Sequence, residues 1–298
     1  MKTRLLTPLL ALALGLAPSE SRAALAYMIT NNTESLLRFD TANPAAVTVV
    51  GNFTGAVGGL EGLDFRPANG LLYGYNDAGN TLVLVNPNTA FTTLLPTPTT
   101  GSTTTILGID FNPAADRLRL VNTNDQNLRI NVDTGATLVD GTLAYAAGDP
   151  NFGINPQVNE VAYTNNDTNP ATGTSLYYID IGTDTLVTTS NPNGGVLNTV
   201  GALGVNTDAL TGFDIFTDPT SGTNSAFAVM RVASVSSFFS INLATGAATN
   251  LGAFGINNTF GLAIQPAPAA VPELGTALAG VMLAGCAGLR RRRMAATV

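Results

Sequence analysis

The chain contains no histidine and no tryptophan, has a single cysteine (Cys286), and carries no lysine between Ala24 and Ala270. These absences exclude a Ser-His-Asp triad, a histidine-ligated zinc and a disulfide framework, and they leave no cysteine nucleophile in the body of the protein. The lack of tryptophan argues against rings built on a Trp-Asp signature, against quinone-cofactor propellers docked by tryptophan, and against sugar stacking on indole. Charge is also scarce, at 11% of residues against roughly 25% in an average domain. What charge there is has one sign. Between Ala24 and Ala270 there are 18 acidic side chains against six arginines (Arg38, Arg66, Arg117, Arg119, Arg129 and Arg231), a net charge of −12. Such a surface repels phosphate backbones and anionic headgroups, so nucleic acid is excluded as a partner while divalent cations and neutral polymers remain.

Gly, Asn and Thr are abundant instead, which suits short strands joined by tight polar turns. One phrase, Gly-apolar-Asp-apolar-x-Pro, recurs. Its copies are Gly62-Leu-Asp-Phe-Arg-Pro67, Gly108-Ile-Asp-Phe-Asn-Pro113, a degenerate Phe152-Gly-Ile-Asn-Pro156, the stretched Gly212-Phe-Asp-Ile-Phe-Thr-Asp-Pro219, and Gly261-Leu-Ala-Ile-Gln-Pro266. After each copy comes a second strand: Leu71 to Tyr75, Leu118 to Asn122, Glu160 to Thr164 and Ala226 to Arg231, the last copy finding its partner at the other end of the chain in Ala26 to Thr30. Third strands end in Asp or Asn at positions 40, 86, 131, 180 and 242, spaced by 46, 45, 49 and 62 residues, close to the ~40 to 50 of propeller repeats. Weaker fourth strands follow, in the fourth repeat at Leu186 to Thr189. The long interval reflects insertions around Asn191 to Thr207 and Asp218 to Ser225.

The expected fold is therefore all-β: a five-bladed β-propeller in which the C-terminal strand joins the N-terminal blade, closing the ring and leaving no free sheet edge. The run Gly108-Ile-Asp-Phe-Asn-Pro-Ala-Ala-Asp-Arg-Leu-Arg-Leu-Val-Asn122, followed by Gln126-Asn-Leu-Arg-Ile-Asn131, resembles the signature of a bacterial family known as domain of unknown function 4394 (DUF4394). That resemblance implies a secreted β-repeat domain and no particular chemistry.

Residues 1–23 read as a signal peptide, with Lys2 and Arg4, an apolar run from Leu5 to Ala17, and small residues Ser21 and Ala23 before the cleavage point. Residues 24–267 are the repeat domain. Residues 268–298 hold Val271-Pro272-Glu273, an apolar run from Leu274 to Leu289 and the cluster Arg290, Arg291, Arg292 and Arg293. The run predicts a C-terminal transmembrane helix with its arginines on the cytoplasmic side. The tail resembles the PEP-CTERM sorting signal, with Leu274 standing where that family most often has a second proline. The resemblance implies an exosortase-type processing enzyme as partner, a transient anchor in the inner membrane, and delivery to the cell surface or extracellular polysaccharide matrix of a Gram-negative bacterium.

Asp64, Asp110 and Asp214 occupy one place in three copies, and ring symmetry brings them towards one axis. There they could supply oxygens to a calcium ion; alternatively each accepts hydrogen bonds from its own blade or pairs with an arginine. Arg117 and Arg119, two apart on a strand, suggest an anion patch or pairing with Asp110, Asp116 or Asp125. The loops Asn122 to Gln126 and Asn165 to Pro170 are oxygen-rich but lack the glycine and terminal glutamate of an EF-hand. Two functions follow as expectations. One is a non-catalytic propeller at the cell surface, binding polysaccharide or surface proteins; the other is a calcium-dependent hydrolase or lactonase using channel carboxylates.

Overall fold

A computed structural model describes residues 24–30, 34–167 and 172–266. In chain order the first blade opens with β1 (Leu25–Thr30), β2 (Ser35–Asp40) and β3 (Asn43–Asn52); the second holds β4 (Thr54–Gly55), β5 (Gly62–Arg66), β6 (Leu71–Asn76), β7 (Thr81–Val85) and β8 (Phe91–Leu94). The third holds β9 (Leu107–Asn112), β10 (Arg117–Asn122), β11 (Asn127–Ile130) and β12 (Thr137–Val139). The fourth holds β13 (Ala144–Tyr145), β14 (Val158–Tyr163), β15 (Leu176–Asp180), β16 (Thr185–Asn191) and β17 (Val196–Ala202), and the fifth β18 (Thr211–Thr217), β19 (Asn224–Val232), β20 (Val235–Ile241) and β21 (Ala248–Ala253). Then β22 (Thr259–Ile264) returns to the first blade, where it pairs antiparallel with β1 through Ala26↔Ile264 and Tyr27↔Ala263. The innermost strands β22, β5, β9, β14 and β18 contact one another in that cyclic order, so the five sheets stand around one axis.

Local chemistry explains the hairpins. Asp40, Asn86, Asn131, Asp180 and Asn242 each accept, through the side-chain oxygen, the amide two residues on, which starts the turn. The core is divided among the blade junctions. Each of five apolar clusters spans two neighbouring blades, as where Tyr27 and Ile29 of the first blade meet Leu63 and Phe65 of the second. Tyr27 sets its ring edge-on to Phe65 at 5.6 Å, and Tyr73 repeats the contact with Phe111 at 5.0 Å. Each such pair adds about 0.5–1.5 kcal/mol beyond area burial.

Three expectations are corrected. First, no sheet closes on itself: every blade is an open sheet of four or five strands with an inner and an outer edge, so free edges remain at β3, β12 and β21 and at the two-residue strands β4 and β13. Those outer strands are short or largely exposed, a common way to blunt an edge. Second, the fourth blade is one strand out of step. Phe152 to Pro156 forms a turn with Phe152 and Ile154 exposed; Val158–Tyr163 is innermost, Leu176–Asp180 second, Thr185–Asn191 third, and the expected insertion supplies the fourth strand, Val196–Ala202. Third, no helix among the described residues is long and apolar enough to cross a membrane. The helical element among them is a single 3-10 turn, Pro192–Gly194. The transmembrane helix, the transient inner-membrane anchor and the export route and processing partner that depended on it therefore find no support in the fold. The residues on which those readings fell, 1–23 and Val271, Pro272, Glu273 and Arg290 to Arg293, lie outside the described residues.

Candidate metal centre and axial mouth

Strand pairing places three aspartates in one structural slot. Asp64 lies opposite Tyr73, Asp110 opposite Arg119 and Asp214 opposite Phe227 on their second strands. In the other two blades the slot falls to Ala263, opposite Tyr27, and Ala162, opposite Tyr177. All three aspartates are buried, and ligand oxygens from the three lie within 4.8 Å of one another. The glycine two residues earlier lets the strands come this close. A Cβ at Gly212 would sit 2.5 Å from the carbonyl oxygen of Gly261, and one at Gly108 would sit 2.6 Å from Cα of Glu160.

Each carboxylate reaches across a blade junction. Asp64 accepts the amides of Phe65 at 2.7 Å and, from the third blade, Phe111 at 2.7 Å. Asp214 accepts Ile215 at 2.6 Å and, from the first blade, Ile264 at 2.6 Å. Asp110 accepts Tyr163 of the fourth blade at 3.2 Å. Acceptance of backbone hydrogen bonds from the aspartate's own blade is present at Asp64 and Asp214, with a second donor from the neighbouring blade, whereas the amide bond to Asp110 comes from the neighbouring blade. The arginines pair elsewhere: Arg66 with Asp116 and Asp133, Arg119 and Arg129 with Asp140, and Arg231 with Asp208. Arg119 is itself buried, bonding Tyr163 Oη at 2.6 Å and Asn193 Oδ1 at 3.0 Å, while Arg117 turns back to the carbonyl of Asp116. No paired anion patch forms.

A fourth acid joins the axis. Glu160 stands two residues before Ala162, in the place of the repeated glycine, and is buried. Burial pushes the Glu160 and Asp64 carboxyls well above the ordinary range, reinforced by the charge of Asp214, and at Asp64 opposed by its amide bonds. Burial does the same at Asp110, with the charges of Asp64, Asp214 and Glu160 adding to it. Asp214 is pushed up to about 7, again by burial.

Above the triad, a cavity of about 280 Å³ opens at the axis. All five blades line it: Ile29 and Phe260 from the first, Leu60 and Glu61 from the second, Ile106 and Leu107 from the third, Glu160 from the fourth, and Leu210 and Thr211 from the fifth, with Glu34 at the rim. Glu61 accepts the amide of Asp77 at 2.9 Å, and burial pushes its carboxyl up to about 7, helped by repulsion from Asp77 and Glu34. A larger cavity, about 570 Å³, lies between the fifth and first blades; its lining, including Phe227, Ile241, Ser240 and Leu251, has no charged residue. The axial mouth is the chemically equipped one. Glu160 lines it and also feels the triad's charge, so it links the two layers.

Glu61 and Glu160 escaped the sequence reading. Glu160 opened an expected second strand, and what the sequence did not mark is that this strand is innermost and that Glu160 takes the place of the repeated glycine. Nothing in sequence marks Glu61.

No curated protein matches the chain. Among solved structures it is similar to a chain of the nidogen/laminin complex at 12% identity and a TM-score of 0.46, covering 82% of this chain and 98% of that one. It is also similar to a putative 6-phosphogluconolactonase from Bacteroides uniformis at 12% identity and a TM-score of 0.40, covering 79% and 84%. A third is a protein from Lactobacillus plantarum, at 16% identity and a TM-score of 0.39, covering 84% and 69%. Similarity at this level carries no functional inference for the chain. The profile of one family, described as a domain of unknown function (DUF4394), matches residues 35–263, most of the chain. The protein belongs to the DUF4394 family.

Proposed function

We propose that Asp64, Asp110 and Asp214 hold a divalent cation, calcium being the expected ion, and that the ring is a cation-dependent hydrolase of the ester or lactone type whose substrate enters the acidic mouth. The observation that carries this reading is the convergence of three buried carboxylates from three blades within 4.8 Å. Three desolvated anions so close repel one another strongly, and a hard cation that prefers oxygen ligands relieves that cost. A divalent ion supplies Lewis acidity towards a carbonyl and lowers the pKa of bound water. With no histidine in the chain, Glu61 is the group near the mouth poised to exchange a proton around neutral pH.

The test is a panel of neutral esters, lactones and glycosides, assayed with calcium, with EDTA, and with Asp110→Asn. Turnover that EDTA removes and calcium restores supports the hydrolase. A second reading, a non-catalytic propeller binding polysaccharide or a surface protein, is favoured by the seal of backbone amides over the triad. It expects a calcium-induced rise in melting temperature and no turnover on any substrate. In either reading the ring occupies 24–267, with 1–23 as a separable leader and 268–298 as a PEP-CTERM-like tail. Terminal peptides of the purified protein, identified by mass spectrometry, check those boundaries.

A further inference from the structure

We infer that the axial mouth selects an organic cation, a ligand that joins an ammonium group to an apolar body. The inference rests on the reading above only in giving that ligand the role of substrate. Two features of the cavity argue for it independently. Its apolar lining, Ile29 and Phe260, Leu60, Ile106 and Leu107, and Ala209 and Leu210, comes from four of the blades and is interleaved with threonines and glutamates, so an uncharged body of modest size is desolvated against those side chains on entry. Glu34, Glu61 and Glu160 line this space with no basic side chain among the residues around it. An anionic or phosphorylated ligand is repelled there, and a wholly neutral one leaves the glutamates' mutual repulsion in place. An ammonium group relieves it, and the partly buried Phe260 among the lining residues offers an aromatic ring, which attracts a cation further.

The mouth also keeps its sign when the triad is loaded. Three carboxylates around a divalent ion leave one negative charge over, and the exposed Glu34 adds its own, so a metal ion below does not turn the field against an incoming ammonium. Glu34 sits close to the second blade, since a Cβ at Gly59 would lie 2.7 Å from its Oε2. Its charge also reaches Glu61. One group is thus exposed at the rim and another is half-buried inside, which gives the ligand a graded path of attraction.

Calorimetric titration of the full chain with benzyltrimethylammonium, benzyl alcohol and benzoate tests this directly. The ammonium is expected to bind at least tenfold more tightly than the alcohol, and benzoate to give no binding heat. Glu61→Gln, which keeps an oxygen for the Asp77 amide, and Glu34→Gln at the exposed rim should each weaken the ammonium several-fold and leave the alcohol unchanged. Equal binding of the three probes, no binding of the ammonium, or indifference to both variants overturns the inference. Repeating the titration in EDTA separates it from the cation reading. Ammonium binding that persists when calcium produces no heat sustains the mouth and defeats the metal site; calcium binding without ammonium binding does the reverse.

Discussion

Asp64 accepts one amide from its own strand and one from the next blade while facing two other carboxylates in a buried space. Those roles conflict unless a proton or a cation intervenes, and the pH dependence reveals which. In an unfolded chain aspartates titrate near 4. In the fold Asp214 is held at about 7, and Asp64 and Asp110 are held well above the ordinary range. Without a cation the native state therefore binds more protons than the unfolded one. The stability this confers is complete below about pH 4 and is lost as pH rises through 7, at about 1.4 kcal/mol per pH unit for each group titrating. Melting temperatures in EDTA should accordingly fall from pH 5 to pH 8, with calcium flattening the slope most at the alkaline end. A flat or rising profile in EDTA would show that the acids are charged and satisfied without a cation. The slot itself was legible in sequence, because the same acid recurs between apolar residues after a glycine. Glu160 was not, because it replaces that glycine in a blade whose copy of the phrase has dissolved.

The inner strands show why the phrase begins with glycine. At Gly212 a side chain would strike the backbone of β22, with the amide nitrogen of Leu262 only 2.7 Å from an added Cβ. Gly212→Ala should therefore destabilise the protein by about 1–3 kcal/mol or more, while Gly58→Ala, where an added Cβ meets nothing within 4 Å, should be close to neutral. Chemical denaturation of the two variants against the parent checks this, and equal midpoints would remove the steric account of the repeat. Hairpin ends were readable for a similar reason: each Asp or Asn that ends the run announces its own turn. Strand rank within the fourth blade was not. A turn segment there mimics the phrase, and the true inner strand, Val158–Tyr163, lacks both its glycine and its aspartate. Pairing across blades decided the order, through the amide that Tyr163 gives to Asp110, and no single-strand pattern carries that information.

At the scale of the molecule, the number of blades and the meeting of the two described ends were legible from the count and phase of the repeats. The five apolar clusters at the junctions, the acid column and the mouth emerge only when the sheets face one another. The axis gathers acidic groups that no individual blade holds, and the fold tolerates them because amides of their own and neighbouring strands donate to the carboxylates and a cation can complete the site. Titration of the EDTA-treated protein with calcium at pH 7.5, alongside Asp110→Asn, tests that account most directly. It predicts saturable binding near one ion per chain, a rise in melting temperature, and loss of both in the variant. No binding heat and no thermal shift in the parent protein, or binding that Asp110→Asn leaves intact, would contradict it.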